Sequence, residues 1–115
     1  MAALFIGTHP EGTDFAISKI GVNGNLASST FVGLDANDGI NRAAGLFYNY
    51  GDVFRGEINV DDNDNVYVAS VTEGNFPIAG SPAQSVFGGG SCDGVFFKLD
   101  GSLSNLLYSS YYGGS

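Results

Sequence analysis

The sequence predicts an all-β fold built from a repeated antiparallel meander, and three observations carry that prediction. The chain has 18 glycines and only 3 prolines in 115 residues, a composition suited to many tight reversals. Its apolar runs are short and alternate with polar residues at a period near two, the spacing of strands with one buried face. One pattern also occurs twice. Asp14-Phe15-Ala16-Ile17-Ser18-Lys19-Ile20 is echoed by Asp93-Gly94-Val95-Phe96-Phe97-Lys98-Leu99, each copy with Asp and Lys five positions apart. A turn follows each copy, and a second run closes it, 27–33 in the first and 107–113 in the second. Short strands in such a repeat make the repeat the folding unit, which buries its faces against its neighbours.

Taken in order, Ala3 to Thr8 is short and apolar, is bounded by His9-Pro10-Glu11-Gly12, and reads as a strand. Phe15 to Gly21 alternates Phe15, Ile17 and Lys19 with Ala16, Ser18 and Ile20. Val22-Asn23-Gly24-Asn25 is a hairpin turn, since Asn-Gly readily takes positive φ. Ala27 to Val32, rich in Ser, Thr, β-branched and aromatic residues, is the returning strand. Residues 34–54 break the rhythm. Asp35, Asn37, Asp38 and Gly39 make a polar loop, and Arg42 to Tyr50 reads as a helical turn or a short extra strand. The alternation resumes over 55–61, turns at Asp61-Asp62-Asn63-Asp64-Asn65 and returns over 65–71, the clearest strand in the chain. A long loop from Thr72 to Cys92 follows, and strands at 94–100 and 106–112 complete the unit.

The organisation is therefore an incomplete three-stranded unit at 1–33, an insertion at 34–54 and a complete four-stranded unit at 55–115. A repeated four-stranded meander is the pattern of a β-propeller blade. A β-sandwich is the competing architecture, and the shared register of the duplicated Asp and Lys favours the propeller. Two blades cannot close a ring, which takes about four to eight. The expectation is an excerpt of a longer propeller or, alternatively, identical copies assembling into one ring.

Composition excludes some functions. The net charge is −8, and the cations Lys19, Arg42, Arg55 and Lys98 are scattered, which is no footprint for nucleic acid. No apolar stretch approaches the length of a membrane-crossing helix. Cys92 is the only cysteine, so no internal disulfide forms, and it reads as a serine-like filler. His9, the only histidine, precedes Pro10 and reads as a turn residue. Gly88-Gly89-Gly90 is followed by neither a Lys-Ser/Thr pair nor a helix, so it is not a phosphate loop.

Asn59-Val60-Asp61, Asn65-Val66-Tyr67-Val68-Ala69, Asn75-Phe76-Pro77, Phe87-Gly88-Gly89-Gly90-Ser91, Asp93 to Leu99 and Leu107 to Ser115 stand in an order that closely resembles the bacterial SBBP-type β-propeller repeat. The resemblance covers 55–115, with 3–33 as a shortened preceding copy and 34–54 without a counterpart. Where the family has Gly before the first-hairpin Asn, this chain has Asp64. The resemblance implies a non-enzymatic binding or display module of a secreted or cell-surface bacterial protein, with a protein or glycan ligand. The alternative from another class is part of a propeller enzyme that degrades glycans.

Blade connectivity sorts the loops. The turns at 61–65 and 101–105 fall at one end, and the long loops 34–54 and 72–92 at the other. Long loops on a compact scaffold tend to carry function. The candidate binding residues are accordingly Phe47, Tyr48, Tyr50, Phe76 and Phe87 as exposed aromatics. The weightier competing reading packs these rings back onto the strands, since large aromatics are usually buried. Asp61, Asn63 and Asn65 place oxygens at alternate positions, as the first three ligands of a calcium loop do. Position six is Val66 and position twelve is Thr72, so an Asx-rich hairpin turn is the stronger reading. Asp14 and Asp93 recur before equivalent strands and read as loop caps, with Lys19 and Lys98 on a polar strand face.

Overall fold

A computed structural model describes residues 2–9, 12–40 and 56–114. The fold is all-β, with no helix among the described residues. Strands β1 (Ala2–His9), β2 (Gly12–Ile20) and β3 (Leu26–Val32) form one antiparallel sheet in that order. Strands β4 (Gly56–Val60), β5 (Val66–Thr72), β6 (Asp93–Leu99) and β7 (Leu106–Tyr112) form a second, also a meander. The segment Arg42–Tyr50 lies outside the described residues. β2 starts earlier than the alternation alone suggests, because Thr13 and Asp14 continue the pairing with Thr8 and Gly7.

Three hairpins share one geometry. The N–H of Gly24 donates to Gly21 C=O, that of Asp64 to Asp61 C=O and that of Leu103 to Asp100 C=O, each at 3.0 Å. The donor residue is left-handed each time, with φ of 81°, 64° and 61°. This is the turn-plus-bulge reversal that suits the twist of paired strands. Glycine takes the conformation freely and aspartate tolerates it. Leucine does not, and Leu103 is held there by burial of its side chain in the core.

The sequence repeat is a structural repeat. A register shift falls between Lys19 and Ile20 in the first sheet and between Lys98 and Leu99 in the second, the same place in both. Strand pairing then matches the sheets residue by residue. On one face, here the front, Leu4, Ile17 and Val32 of the first sheet correspond to Ala69, Phe96 and Tyr112 of the second. On the back, Ala3, Ser18 and Phe31 correspond to Val68, Phe97 and Tyr111.

The core lies between the front of the first sheet and the back of the second. Phe15, Ile17 and Val32 are buried with Val66, Val68, Val95, Phe97 and Leu99. The Phe15 and Phe97 rings meet at 5.3 Å between centroids. The sheets thus stack in the same sense, front on back, and not like face against like face. They come closest at β1 and β4. Gly56 permits that approach, since a Cβ there would sit 2.8 Å from Leu4 Cδ2.

Lys19 corrects an expectation. It lies on the packed front face, where its Nζ donates to Gly101 C=O at 3.0 Å and to Asp64 Oδ2 at 3.2 Å. It stands at the hairpin end of β2, where a long stem lies along the neighbouring sheet while its ammonium reaches polar turn atoms. Both partners belong to hairpins of the second sheet, which sets 61–65 and 100–105 at the same end as 21–25.

Phe15→Ala removes a ring from the seam, and urea denaturation should show a loss of roughly 3–5 kcal/mol. Phe96→Ala, on the matching but uncovered face, should cost well under half as much. Equal losses would contradict the placement of the core.

Candidate functional site

At the end opposite the hairpins, residues 33–40 cross from one sheet to the other. The N–H of Asp38 donates to Thr13 C=O at 2.9 Å, and that of Gly39 to Val71 C=O at 2.8 Å. Glu73 N–H donates to Asn37 C=O at 2.8 Å, and Asn37 Nδ2 donates to Glu73 Oε2 at 2.7 Å. The crossing is a strap that fastens β2 to β5. Its centre is Asp38, fully buried, with no well-formed hydrogen bond to either carboxylate oxygen among the described residues.

Burial pushes the Asp38 pKa up to about 7. The Thr72 hydroxyl offsets part of that, nearby Asp14 adds to it, and the backbone at Leu34 offsets a little more. Both carboxylates press against Gly33, where a Cβ would overlap Asp14 Oδ1 and Asp38 Oδ2. A perturbed acid is a familiar sign of a catalytic site. This one is fully buried, between Thr13 and Thr72.

The 73–92 loop does not project. It runs along the outer edge of β7. Ser109 N–H donates to Ala79 C=O and Tyr111 N–H to Gln84 C=O, at 3.1 and 3.0 Å. Side chains complete the seam: Ser109 Oγ accepts from Ala79 N–H and donates to Pro77 C=O, and Ser110 Oγ accepts from Gln84 N–H. Tyr111 Oη accepts from Phe76 N–H at 2.8 Å. The outward N–H groups of Ser109 and Tyr111, which an edge strand would leave open, are thereby paired.

That path corrects the aromatic candidates. Phe76 is buried, wedged between Phe15 and Phe97 at 5.9 and 5.4 Å, and offers no ring to a ligand. The Tyr111 bond to its own N–H draws it inward. Phe87 is half-buried, edge-on to Tyr111 at 6.0 Å. Phe47, Tyr48 and Tyr50 lie outside the described residues. What this end does expose is Leu34 and Val86. An open groove of about 290 Å³ runs between β3 and the β6–β7 hairpin, bounded by Thr30, Val32, Pro77, Leu103 and Leu106. No titratable side chain lines it. Its chemistry is apolar contact and hydroxyl hydrogen bonding.

The three calcium candidates sit in the β4–β5 hairpin. Asp61 Oδ1 accepts the N–H groups of Asn63 and Asn65, both at 2.9 Å. Its Oδ2 accepts Asn65 Nδ2 at 3.1 Å and the Tyr67 hydroxyl at 3.0 Å. Desolvation raises the Asp61 pKa, and the bonds from Asn65, Tyr67 and Asn63 outweigh it, so the net shift is downward. Asp100 repeats the device with Asn105, whose side-chain bond leads in holding the Asp100 pKa near 2. The repetition marks both aspartates as turn caps. Among the described residues, no three His, Cys, Asp or Glu side chains gather where they would hold a metal ion.

Asp93 caps in the same way: Gly88 N–H donates to its Oδ2, and Gly113 leaves room for its carboxylate. The Cys92 thiol is pushed up by burial and by the charges of Asp93 and Glu73, the reverse of an activated nucleophile. Compared with family models, with curated proteins and with solved structures, the chain finds no match.

Asp38 gives a pH signature. Its carboxyl titrates near 3.8 when unfolded and near 7 when folded, so the folded state binds the proton more tightly. Stability from this group is full below the unfolded value and is lost as pH rises through the folded one. The gap is worth up to about 4 kcal/mol. Asp38→Asn should therefore exceed the parent in stability at pH 8 and lose that advantage at pH 4, measured by urea unfolding. A difference that does not change with pH would refute the buried-acid assignment.

Proposed function

We propose that this chain is a non-enzymatic binding or display module, two neighbouring blades of a secreted or cell-surface bacterial β-propeller, whose long-loop end meets a protein or glycan. The observation that carries the reading is the stacking sense. Front on back is how successive blades pack around an axis, whereas a sandwich sets the inner faces of two sheets against each other. The approach of β1 to β4 supports it, since blades converge at their inner strands. The resemblance of 55–115 to the SBBP-type repeat supports the address and the absence of catalysis. Leu34 and Val86, exposed at the long-loop end, support contact with a ligand there.

The test is an oligosaccharide array probed with the labelled chain, with reducing-end release assayed in parallel. Leu34→Ser and Val86→Ser, at the long-loop end, should weaken binding about tenfold, the effect of losing roughly 1.4 kcal/mol of contact. Val22→Ser, fully exposed at the hairpin end, should change nothing. Release of reducing ends would make the module an enzyme, and binding that follows Val22 would place the site at the wrong end.

A further inference from the structure

We infer that the front of the four-stranded sheet is a docking surface for the back of the three-stranded sheet in a second copy of this chain, giving head-to-tail association. The inference rests on the same-sense stacking proposed above and adds the partner.

The intrachain interface shows what a front and a back do when they meet. Three pairs of matched positions show that exposure follows place in the stack and not residue type. Ile17 is 0% exposed and its counterpart Phe96 39%. Val32 is 6% exposed and its counterpart Tyr112 84%. On the other face, Tyr111 is 4% exposed and its counterpart Phe31 69%. Phe96, Tyr112 and Phe31 thus each have a buried counterpart at the internal joint. Among the described residues, one front and one back are left uncovered. Such a pair of unlike, mutually fitting surfaces gives heterologous association, which propagates head to tail.

The free front is also ordered as a surface. Tyr67, Phe96 and Tyr108 form a row with centroids 6.1 and 6.2 Å apart. Lys98 Nζ lies 5.2 Å over the Tyr67 ring. Lys98 matches Lys19, whose ammonium bonds Gly101 C=O across the internal joint. The position matching Gly101 in a docked three-stranded sheet is Val22, so its carbonyl is the partner this geometry offers Lys98. The free back presents Phe31 over Gly7, where a Cβ would lie 2.9 Å from the ring.

Light scattering on the purified chain, at physiological salt to screen its net charge of −8, should give a mass that grows with concentration from 11.9 kDa. Tyr112→Glu spoils only the front, and Phe31→Glu only the back. Each variant alone should stay monomeric. Mixed in equal amounts they should form a one-to-one dimer, because one good front then meets one good back. Circular dichroism checks that both remain folded, and Phe96→Ser and Phe31→Ser replace any that do not. A parent chain that stays monomeric at sub-millimolar concentration overturns the inference. So does a mixture that fails to associate, or association that survives Phe31→Glu, as a front-to-front dimer would. These outcomes leave array binding at the loop end untouched, and loss of array binding with association intact would count against the proposed function alone.

Discussion

The structure depends on burying the front of a three-stranded sheet that has no other way to be stable. Three short strands with one apolar face need a layer against them. The second sheet supplies it, and the rings of Phe15, Phe76 and Phe97 close the joint. The strap at 33–40 and the Lys19 bonds fasten its opposite ends. The strap carries an energetic penalty, since it puts an acid where water cannot reach. Because that carboxyl binds its proton more tightly in the fold, the joint is strongest in acid, weakens as pH climbs toward about 7 and loses nothing more from this group above it.

The repeat explains how similar strands come to have different surroundings. Phe31 and Tyr111, or Val32 and Tyr112, hold matched places in matched sheets, yet one of each pair is buried and the other bare. Small residues mark the first sheet's back, with Ala16 and Ser18 where the second has Val95 and Phe97. The covered back is thus richer in bulk than the uncovered one, while the uncovered front keeps a row of aromatics that a solvent-facing sheet does not need.

Much of this was legible in the sequence because strand periodicity is local. The seven strands follow from alternation, and the matched Asp and Lys revealed the shared register before any pairing was known. What stayed hidden depends on distant partners. Phe76 stands in a loop beside a proline, and nothing within its own neighbourhood says that Tyr111, thirty-five residues on, draws it into the core. Ser109 and Ser110 read as ordinary strand residues, although their hydroxyls seat the 73–92 loop. Asn37-Asp38-Gly39 looks like any exposed turn, and only the crossing between sheets buries its acid. Leu103 disfavours the left-handed region, so its φ follows from core burial and not from local preference. Lys19 and Lys98 look alike, and their different partners follow from whether another sheet is present.

The course of the 73–92 loop has a further consequence. Because its backbone takes up the outward N–H groups of Ser109 and Tyr111, β7 cannot recruit an extended peptide by main-chain pairing. Sideways accretion of strands, the growth mode of cross-β fibrils, is blocked at that margin. The association inferred above would therefore add layer on layer at the flat faces and not strand beside strand along β7.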